Sequence, residues 1–493
     1  MAHDVIDFEK IDEAQMLIQC DSGIAQELSE FFSFYVPGYK FMPAYHNKVW
    51  DGKIRLFNVH TRELPIGLLT YVTNFAQKRG YDVNVDKNLL QINKISDEDL
   101  TTFIDSLKLP FPIRDYQKIA IQKALAVRRV IALSPTGSGK SLIIYVLARY
   151  ILESTHEKIL VIVPTTSLVE QLYTDMEEYS AKDDFFNVNE EIHRIYSGKP
   201  KNTLTERIVI STWQSVYKLP RTWFQQFGAV FGDEAHGFKS KSLTSIMNKS
   251  DKASYRIGTT GTLDGTQTHK LVLEGLFGRV FNVTTTKELQ DNDTLAKLKI
   301  QMLVLKYPEE VRKENKRDYQ DEVDYIVRNE KRNKLIKNLT LDLKGNTLVL
   351  FQFVDKHGKP LFELINNNAA ANRKVFFVSG ATETSDREAI RRITEGQKDG
   401  IIVASLGTFS TGINIRNLHN IIFATPSKSQ IKVLQSIGRG LRKSDNGVPT
   451  RLYDFADNLS WKSKKNYAMA HAAERLKIYK KEQFEVSVHE IDI

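Results

Sequence analysis

Residues 131–141 read I-A-L-S-P-T-G-S-G-K-S, an apolar run that breaks into a glycine-rich turn and ends in a lysine and a serine. An apolar strand followed by such a turn is typical of a phosphate-binding loop, because glycines let backbone N–H groups converge on phosphate oxygens. We expect Lys140 to reach the β- and γ-phosphates as a point charge, and Ser141 to begin a helix with its hydroxyl on Mg²⁺. The stretch therefore predicts a nucleoside triphosphate site made of Ser134, Pro135, Thr136, Gly137, Ser138, Gly139, Lys140 and Ser141.

The rest of such a site is found downstream, where the apolar run 229–232 is followed directly by Asp233 and Glu234. Phosphoryl transfer on a phosphate loop requires one carboxylate for Mg²⁺ and one to orient and polarise the attacking water. We assign Asp233 to the metal and Glu234 to the water. The alternative interpretation is a solvated pair of acids at the start of a helix. One position departs from the usual G-x-x-x-x-G-K-[ST] pattern, since Ser134 stands where the pattern has glycine.

Length, charge and cysteine content limit the classes of protein to which the chain can belong. A chain of 493 residues is too long for one hydrophobic core, which suggests three or more domains. The formal net charge of +9 suits a polyanionic partner without proving one. The single cysteine, Cys20, excludes an internal disulfide, and no Cys/His cluster offers a structural zinc site. The N-terminus has no leader-like pattern and no run of about eighteen apolar residues occurs, so we expect a soluble, cytoplasmic protein.

The pattern of apolar runs predicts an α/β fold with two parallel sheets. Runs that are apolar throughout and alternate with amphipathic stretches are typical of strands buried on both faces of a parallel sheet. The predicted strands are 130–133, 159–163, 208–210, 229–231, 348–351, 375–378, 401–404 and 421–424. We expect, in order, a small α+β N-terminal domain, a connector, a first lobe, a second lobe and a short helical C-terminal segment, over 1–85, 86–110, 111–285, 286–455 and 456–493.

The second half of the N-terminal domain interleaves aromatic and basic residues. Residues 36–80 carry seven bases against two acids, a balance of 7 − 2 = +5. Aromatic rings stack on nucleobases and cations contact phosphates, so this composition suits nucleic acid. The alternative is a small core in which the aromatics are simply buried. Of these residues we favour Lys48, Lys53 and Arg55 over the aromatics as nucleic-acid ligands.

Further motifs follow one another in order along the chain. R-D-Y-Q occupies 114–117 and T-G-T occupies 260–262, while G-T-F-S-T-G-I-N and Q-S-I-G-R-G-L-R occupy 407–414 and 435–442. Together with the phosphate loop and the acid pair, this series resembles the superfamily-2 helicases and nucleic-acid translocases over about residues 111–456. The resemblance implies two tandem RecA-like lobes that face each other across ATP, and the activity of an ATP-dependent DNA helicase.

In the first lobe the resemblance assigns contacts to the nucleotide and to a nucleic-acid strand. Arg114 and Gln117 match a motif whose amide reads the adenine. The matches to motifs that hold a phosphate backbone are Thr165, Thr166, Thr212, Trp213 and Gln214. Because Thr and Ser also cap helices routinely, a purely structural role is the alternative for the hydroxyls. Residues 260–262 match a triplet that couples hydrolysis to strand movement, although Gly261 replaces the usual central alanine.

In the second lobe the resemblance assigns Thr408 to the nucleic acid, and Gly412 and Asn414 to the nucleotide. Asn414 replaces an acid often found at that position. The residues assigned to catalysis are Gln435, Arg439 and Arg442. The two arginines are three residues apart, so on a helix both guanidinium groups lie on one face. Guanidinium groups at a γ-phosphate stabilise transition-state charge.

The C-terminal stretch 456–483 carries seven bases against three acids, a balance of 7 − 3 = +4. It predicts a helical pair whose basic face is either simply solvated or in contact with nucleic acid.

A closer likeness to phage recombination helicases implies DNA as the partner, in branched forms such as D-loops, R-loops, forks and Holliday junctions, with RNA–DNA hybrids as further candidates. It also implies a phage protein that acts in the host cytoplasm. The rival interpretations are a non-enzymatic binding module and a translocating subunit of a restriction or remodelling machine. A pure nucleotide clamp would not need Lys140, Asp233, Glu234, Arg439 and Arg442 together.

Overall fold

The computed structural model describes residues 5–135, 137–196, 204–263, 266–291, 298–314, 318–408, 418–426, 449–462, 466–481 and 483–493. The chain divides into two compact units, Met1–Ser134 with Gly139–Val283 and Pro135–Ser138 with Thr284–Ile493. The first unit holds the N-terminal domain and the first lobe, and the second unit holds the second lobe.

The N-terminal domain is a mixed four-stranded sheet with helices and a separate two-stranded hairpin. Its elements are β1 (Val5–Lys10), β2 (Gln15–Gln19), α1 (Ser22–Phe31), β3 (Ser33–Tyr35), α2 (Pro43–His46), β4 (Lys53–Arg55), β5 (Glu63–Pro65), α3 (Leu69–Arg79) and β6 (Asp82–Val85). The sheet order is β5-β2-β1-β6, and β3 pairs with β4 alone. Ile6 and Phe8 of β1 and Met16 and Ile18 of β2 are buried in one core because alternate strand residues face the same side. The predicted small α+β domain is confirmed.

The first lobe is a seven-stranded parallel sheet covered by helices on both faces. Its elements are α4 (Asp97–Ser106), α5 (Asp115–Val127), β7 (Arg129–Leu133), α6 (Lys140–Thr155), β8 (Lys158–Val163), α7 (Thr166–Ser180), α8 (Val188–Glu191), β9 (Ile192–Ile195), β10 (Ile208–Thr212), α9 (Trp213–Val216), α10 (Arg221–Phe224), β11 (Phe227–Asp233), α11 (Lys241–Lys249), β12 (Tyr255–Thr260), α12 (Gln267–Phe277) and β13 (Val280–Asn282). The strand order is β13-β7-β12-β11-β8-β10-β9.

Both faces of this sheet are buried, as the uniformly apolar strands predict. In β7, Val130 and Ala132 pack into one hydrophobic cluster while Ile131 packs into the other. The four strands predicted in this lobe are confirmed as β7, β8, β10 and β11. Leu100 of α4 and Leu107 just beyond it join the same cluster as Val130, so the stretch predicted as a connector contributes to the core of the lobe.

The N-terminal domain packs directly against the first lobe. The Tyr71 hydroxyl donates a hydrogen bond to Glu274 Oε2 of α12 at 2.6 Å, and Arg129 of β7 forms an ion pair with Glu13 at 2.6 Å. Gly67 approaches α12 so closely that a Cβ atom there would lie 1.9 Å from the carbonyl oxygen of Glu274. Leu271 of α12 is buried in the core of the N-terminal domain. The lobe thus adds Leu271 to the core of the N-terminal domain, while it keeps two hydrophobic clusters of its own.

The second lobe is another seven-stranded parallel sheet. Its elements are α13 (Thr286–Asp291), β14 (Leu298–Lys306), α14 (Glu309–Glu314), α15 (Tyr319–Arg328), α16 (Glu330–Asp342), β15 (Thr347–Phe351), α17 (Lys359–Asn366), β16 (Val375–Val378), α18 (Thr384–Glu395), β17 (Ile401–Ser405), β18 (Asn420–Phe423), β19 (Thr450–Asn458), α19 (Tyr467–Lys481) and β20 (Glu485–Asp492). The strand order is β16-β17-β15-β18-β19-β14-β20. The four strands predicted in this lobe are confirmed as β15, β16, β17 and β18.

Where the sequence analysis predicted a helical pair, the described residues of the C-terminal segment form one helix, α19, and also a strand that was not predicted. Strand β20 pairs with β14 at the edge of the second sheet, from Lys299↔Glu485 to Lys306↔Asp492. One base counted in the predicted basic face is not on a surface: Arg475 is buried, and its Nη2 lies 2.8 Å from Asp454 Oδ1 of β19. Arg475 thus pairs with a buried carboxylate inside the lobe and does not contribute to a basic surface.

Candidate nucleotide site and nucleic-acid contacts

The phosphate loop leads from the end of β7 into the start of α6. The amide of Ser134 donates to the carbonyl of Thr260 at the end of β12, over 2.9 Å. Gly137 and Gly139 have φ angles of 86° and 81°, in the left-handed region that L side chains rarely adopt. Lys140 is the first residue of α6, and its Nζ donates to the carbonyl of Ser134 at 3.1 Å. The ammonium group is thereby held at the turn, beside the electropositive N-terminus of a helix.

Gln117, predicted to read the adenine, lies against the phosphate loop. It is only 2% exposed, and a Cβ atom at Gly139 would lie 2.3 Å from its Nε2. Its Oε1 accepts a hydrogen bond from the backbone N–H of Arg114 at 3.0 Å, which closes the first turn of α5. The exposed Arg114 guanidinium donates to the hydroxyl of Tyr116 at 2.9 Å. The start of α5 therefore places Gln117 against the loop, with the Arg114 backbone bonded to it.

Like the phosphate loop, the acid pair lies at the carboxyl ends of the parallel strands, because β11 ends at Asp233. The Thr259 hydroxyl of β12 donates to Asp233 Oδ1 at 2.7 Å. Burial and the neighbouring Glu234 carboxylate raise the pKa of Asp233, while the positive charge of Lys140 opposes the shift. The fold thus brings Lys140, Asp233 and Glu234, predicted as catalytic, into one electrostatically linked group.

His236 and Thr260 connect the acid pair to the triplet 260–262. His236 Nδ1 lies 3.0 Å from the hydroxyl of Thr260 and 3.4 Å from Glu234 Oε2. Because the Thr260 hydroxyl donates to the carbonyl of Thr262 at 3.0 Å, it accepts from His236, which places the ring proton on Nδ1. The sequence analysis assigned no role to His236 or to Thr259. His236 stands two residues after Glu234, and its position in D-E-A-H was the available signal.

The residues predicted to hold Mg²⁺ are Ser141 and Asp233. The Ser141 hydroxyl forms a hydrogen bond with that of Tyr179 at 2.9 Å. In the part of the chain that the structure describes, no group of three or more His, Cys, Asp or Glu side chains could hold a metal ion. At nucleotide sites Mg²⁺ commonly takes only one or two protein ligands, because phosphates and waters supply the rest. A divalent cation would also favour the ionised form of Asp233.

The backbone-holding residues predicted in the first lobe follow two adjacent strands. Thr165 lies beyond the end of β8 and caps α7, since its hydroxyl accepts from the amide of Leu168 at 3.4 Å, and Thr166 begins that helix. At the last residue of β10, the Thr212 hydroxyl forms a hydrogen bond with that of Ser215 at 2.9 Å. Thr165 therefore has the helix-capping role that the sequence analysis gave as the alternative to a nucleic-acid contact.

Trp213 and Gln214 follow Thr212 on the first turn of α9. The Trp213 ring makes an edge contact with Tyr217, with 5.7 Å between ring centroids. Gln214 Nε2 reaches back toward the carbonyl of Pro164 at 3.5 Å, which joins this turn to the one after β8. The two predicted backbone-holding motifs thus lie side by side.

In the second lobe, Thr408 is buried just beyond β17, and its hydroxyl lies 2.6 Å from that of Ser405. The other predicted site residues Thr136, Gly412, Asn414, Gln435, Arg439 and Arg442 lie outside the described residues.

The three predicted bases of the N-terminal domain differ in their surroundings. Lys48 is exposed, with a left-handed φ of 55°. The Lys53 ammonium lies over the ring of Tyr35, 5.0 Å from its centroid. Arg55 pairs with Asp51, and its hydrogen bond lowers the pKa of Asp51 to about 2. Lys48 is therefore the base whose charge is least compensated among the three.

Two parallel-sheet lobes, with a phosphate loop and an acid pair at the strand ends of the first, define the class of the chain as a superfamily-2 helicase with RecA-like lobes. A type III restriction enzyme res subunit model matches residues 110–265, and a helicase conserved C-terminal domain model matches 330–444. A third model, the N-terminal domain of the DNA helicase UvsW, matches residues 5–86.

The chain belongs to the UvsW family of this class. It is 35% identical over 495 residues to the ATP-dependent DNA helicase UvsW of Enterobacteria phage T4, with 96% of this chain and 97% of the relative covered. A crystal structure of T4 UvsW matches it with a TM-score of 0.52 at 34% identity, covering 99% of both chains. The chain is thus an ATP-dependent helicase.

More distant relatives share the two lobes. The DNA 3'-5' translocase XPB2 of Sulfurisphaera tokodaii is 24% identical over 381 residues, covering 69% of this chain and 82% of the relative. A fragment of an HsdR subunit of a type I restriction enzyme from Vibrio vulnificus matches with a TM-score of 0.57 at 18% identity, covering 81% of this chain and 72% of that chain. At this identity the likeness shows the fold alone. No helix in the described ranges is long and apolar enough to cross a membrane.

Proposed function

We propose that the chain couples Mg²⁺-dependent ATP hydrolysis to movement along DNA, and that it rewinds or migrates branches in recombination and replication intermediates. The observation that carries the proposal is the grouping of Lys140, Asp233 and Glu234 at one edge of the first sheet, in a chain 35% identical over 96% of its length to T4 UvsW. D-loops, R-loops, forks and Holliday junctions are the proposed substrates, with RNA–DNA hybrids as further partners. The proposed place of action is the cytoplasm of a phage-infected cell.

In the hydrolysis step, Lys140 stabilises negative charge on the β- and γ-phosphates from its position at the start of α6. Asp233 and Ser141 would hold Mg²⁺, which neutralises charge on the phosphate oxygens. Glu234 accepts a hydrogen bond from the attacking water and polarises it. His236 Nδ1 lies 3.4 Å from Glu234 Oε2, beside the carboxylate that orients the water. Arg114 and Gln117 contact the adenine.

The second lobe completes the site in this proposal. By their resemblance to family motifs, Arg439 and Arg442 supply positive charge at the γ-phosphate, with Gln435 beside them, and Gly412 and Asn414 contact the nucleotide. Such guanidinium groups act only when the two lobes close on ATP, because they reach the phosphate from the opposite side. Hydrolysis then changes the grip of each lobe on the strand.

The motor holds DNA through its backbone. Hydroxyl groups and helix N-termini at strand ends contact phosphates, and these contacts carry no sequence information. The proposed strand contacts are Thr165, Thr166, Thr212, Trp213, Gln214 and Thr408. Because backbone contacts cannot distinguish a junction from a single strand, we assign the choice of branched DNA to the N-terminal domain through Lys48, Lys53 and Arg55.

The decisive experiment is ATP hydrolysis titrated with single-stranded, duplex and four-way-junction DNA. We expect DNA to stimulate hydrolysis, the junction most strongly, and the stimulation to require Mg²⁺. Nucleotide binding without hydrolysis on any DNA would favour the non-enzymatic clamp instead. Equal stimulation by all three DNAs would leave the motor in place and remove its proposed preference for branches.

A further inference from the structure

The hairpin of the N-terminal domain carries an uncovered apolar surface. Residues 36–52 connect β3 to β4, and we call the middle of this connection, residues 39–49, the apex. Phe41 is 88% exposed and Val49 is 81% exposed, and Met42 beside Phe41 is 37% exposed. From 37 to 49 no residue is buried. Large apolar side chains exposed together on a small unit indicate a binding surface rather than a core.

The apex has a defined shape although it has no core of its own. The rings of Tyr35 and Tyr39 stack with 4.6 Å between their centroids, and Tyr45 makes an edge contact with Tyr39 at 4.8 Å. Gly52 lies under this stack, where a Cβ atom would come within 2.3 Å of Tyr39 Cδ2. The stacked rings support the backbone of the apex, and they leave Phe41 at its surface rather than within the stack.

The charged residues within the apex are all basic. Residues 36–50 contain no acid and include Lys40 and Lys48, both of which are exposed. The nearest acid in sequence, Asp51, is paired with Arg55. An apolar centre with cationic neighbours suits a ligand that has flat apolar faces and negative charge, which is the chemistry of a nucleic-acid strand. Three apolar side chains are too few for a stable protein interface, which buries at least about 1,200 Å².

A nucleobase in duplex DNA has both faces covered by its neighbours, so the apex can reach a base face only where stacking is interrupted. We propose that Phe41 stacks on an unpaired base at the junction between single-stranded and duplex DNA, with Lys40 and Lys48 on the flanking phosphates. The inference rests on the proposed function and names the part of a branched substrate that the N-terminal domain contacts. In this inference an aromatic residue, Phe41, makes the main contact with DNA. The sequence analysis instead favoured Lys48, Lys53 and Arg55 over the aromatics.

The test uses the full-length protein and a forked DNA with 2-aminopurine as the unpaired base next to the duplex. Wild-type protein is expected to quench the fluorescence of that base. Phe41→Ala should lose the quenching and bind the fork about tenfold more weakly, which is the effect of removing one stacked aromatic. Phe41→Trp should retain both, whereas Phe41→Leu should lose the quenching because it has no ring face. Since Phe41 is exposed, all of these variants should melt at the wild-type temperature.

Phe185→Ala is the matched control, because Phe185 is 91% exposed in the loop between α7 and α8 of the first lobe. It should leave quenching and affinity unchanged. Wild-type quenching and affinity in Phe41→Ala would overturn the inference, as would a change in its self-association with fork binding intact, which would make the apex a protein interface. DNA-stimulated hydrolysis by the wild type is measured separately. If that stimulation is present and quenching is absent, the inference fails alone, and if stimulation is absent, the proposed function fails and the inference with it.

Discussion

Asp233 and Glu234 are neighbours in sequence, but the backbone gives them different surroundings. Asp233 ends β11 and accepts from Thr259 of the adjacent strand. Glu234 has a left-handed φ of 50°, so the chain turns sharply there and its carboxylate lies beside His236. A non-glycine residue in this region costs about 1–3 kcal/mol and persists where the surrounding structure enforces it, often at functional sites. The turn at Glu234 gives the two carboxylates different neighbours, Thr259 for Asp233 and His236 for Glu234.

The division of roles between these acids predicts two different phenotypes. Glu234→Gln should keep Mg·ATP bound but slow turnover about 100-fold or more, because an amide cannot polarise water as a carboxylate does. Asp233→Ala should weaken the binding of Mg·ATP itself. Nucleotide affinity and single-turnover hydrolysis, measured on both variants, check the assignment, and an interchange of the two phenotypes would show that the roles are reversed.

Lys140→Ala should abolish hydrolysis without unfolding the protein. The half-buried Lys140 has a hydrogen bond from its ammonium to the carbonyl of Ser134 and does not belong to a hydrophobic cluster of the lobe. Its removal therefore costs a phosphate contact and little stability. DNA-stimulated hydrolysis and thermal melting test this together, and near-wild-type hydrolysis in a well-folded variant would contradict the assignment of the loop.

The sequence could predict the parts of the site that are contiguous in the chain. Lys140 follows an apolar strand and a glycine turn, and the acid pair follows another strand, so both have local patterns. Thr259 has no local pattern: it contacts Asp233 only because β11 and β12 are neighbours in the sheet. Similarly, the contact of Gln117 with the phosphate loop depends on how α5 packs. Partners created by sheet order or helix packing are invisible to motif spacing.

At the scale of elements, the sequence predicted central strands such as β8 and β15, whose apolar side chains are buried on both faces. Strand β12 was missed because it reads Y-R-I-G-T-T; the Arg256 side chain is buried there and donates to the carbonyl of Ser250 at 2.7 Å. Strand β20 was missed because it lies at a sheet edge, where most of its side chains are exposed. Backbone pairing, rather than an apolar run, makes both of them strands.

Helix α19 provides a prediction that separates structural from surface charge. Arg475 is buried against Asp454, to which the Tyr479 hydroxyl also donates at 2.7 Å. Arg475→Ala should destabilise the second lobe by about 3–5 kcal/mol, because it leaves the Asp454 carboxylate buried without its cation. Lys477→Ala, on the same helix but exposed, should change stability by less than about 0.5 kcal/mol.

Denaturant unfolding of both variants provides the measurement. Equal stability of the two variants would mean that the Arg475 pair contributes nothing to the lobe and that the residue is free to serve a basic surface.

At the scale of the whole molecule, DNA binding should depend on salt through the bases of the N-terminal domain. Replacement of Lys48, Lys53 and Arg55 by Ala should weaken junction binding and flatten its salt dependence, since each lost phosphate contact reduces the slope of log K against log salt by about 0.9. Most of this effect should come from Lys48, because Lys53 lies over Tyr35 and Arg55 is paired with Asp51.

Lys252→Ala is the matched control for that prediction. Lys252 is exposed in the turn between α11 and β12. It precedes the start of β12, whereas the nucleotide site lies where the parallel strands end. Hydrolysis without DNA should survive in every variant. An unchanged affinity and salt slope in the triple variant would make the N-terminal domain a structural or protein-contact unit.

The close approach of Gly67 to α12 limits how the sequence of this chain can change during evolution. At Gly67 there is no room for a methyl group, and one at Gly275 would press on Pro65 at 3.2 Å. Leu271 reaches from the same helix into the core of the N-terminal domain. An exchange of the first 85 residues between relatives would therefore bring together surfaces that had never been fitted to each other. The domain and α12 must be inherited as one piece, and a recombination breakpoint that separates them would be selected against.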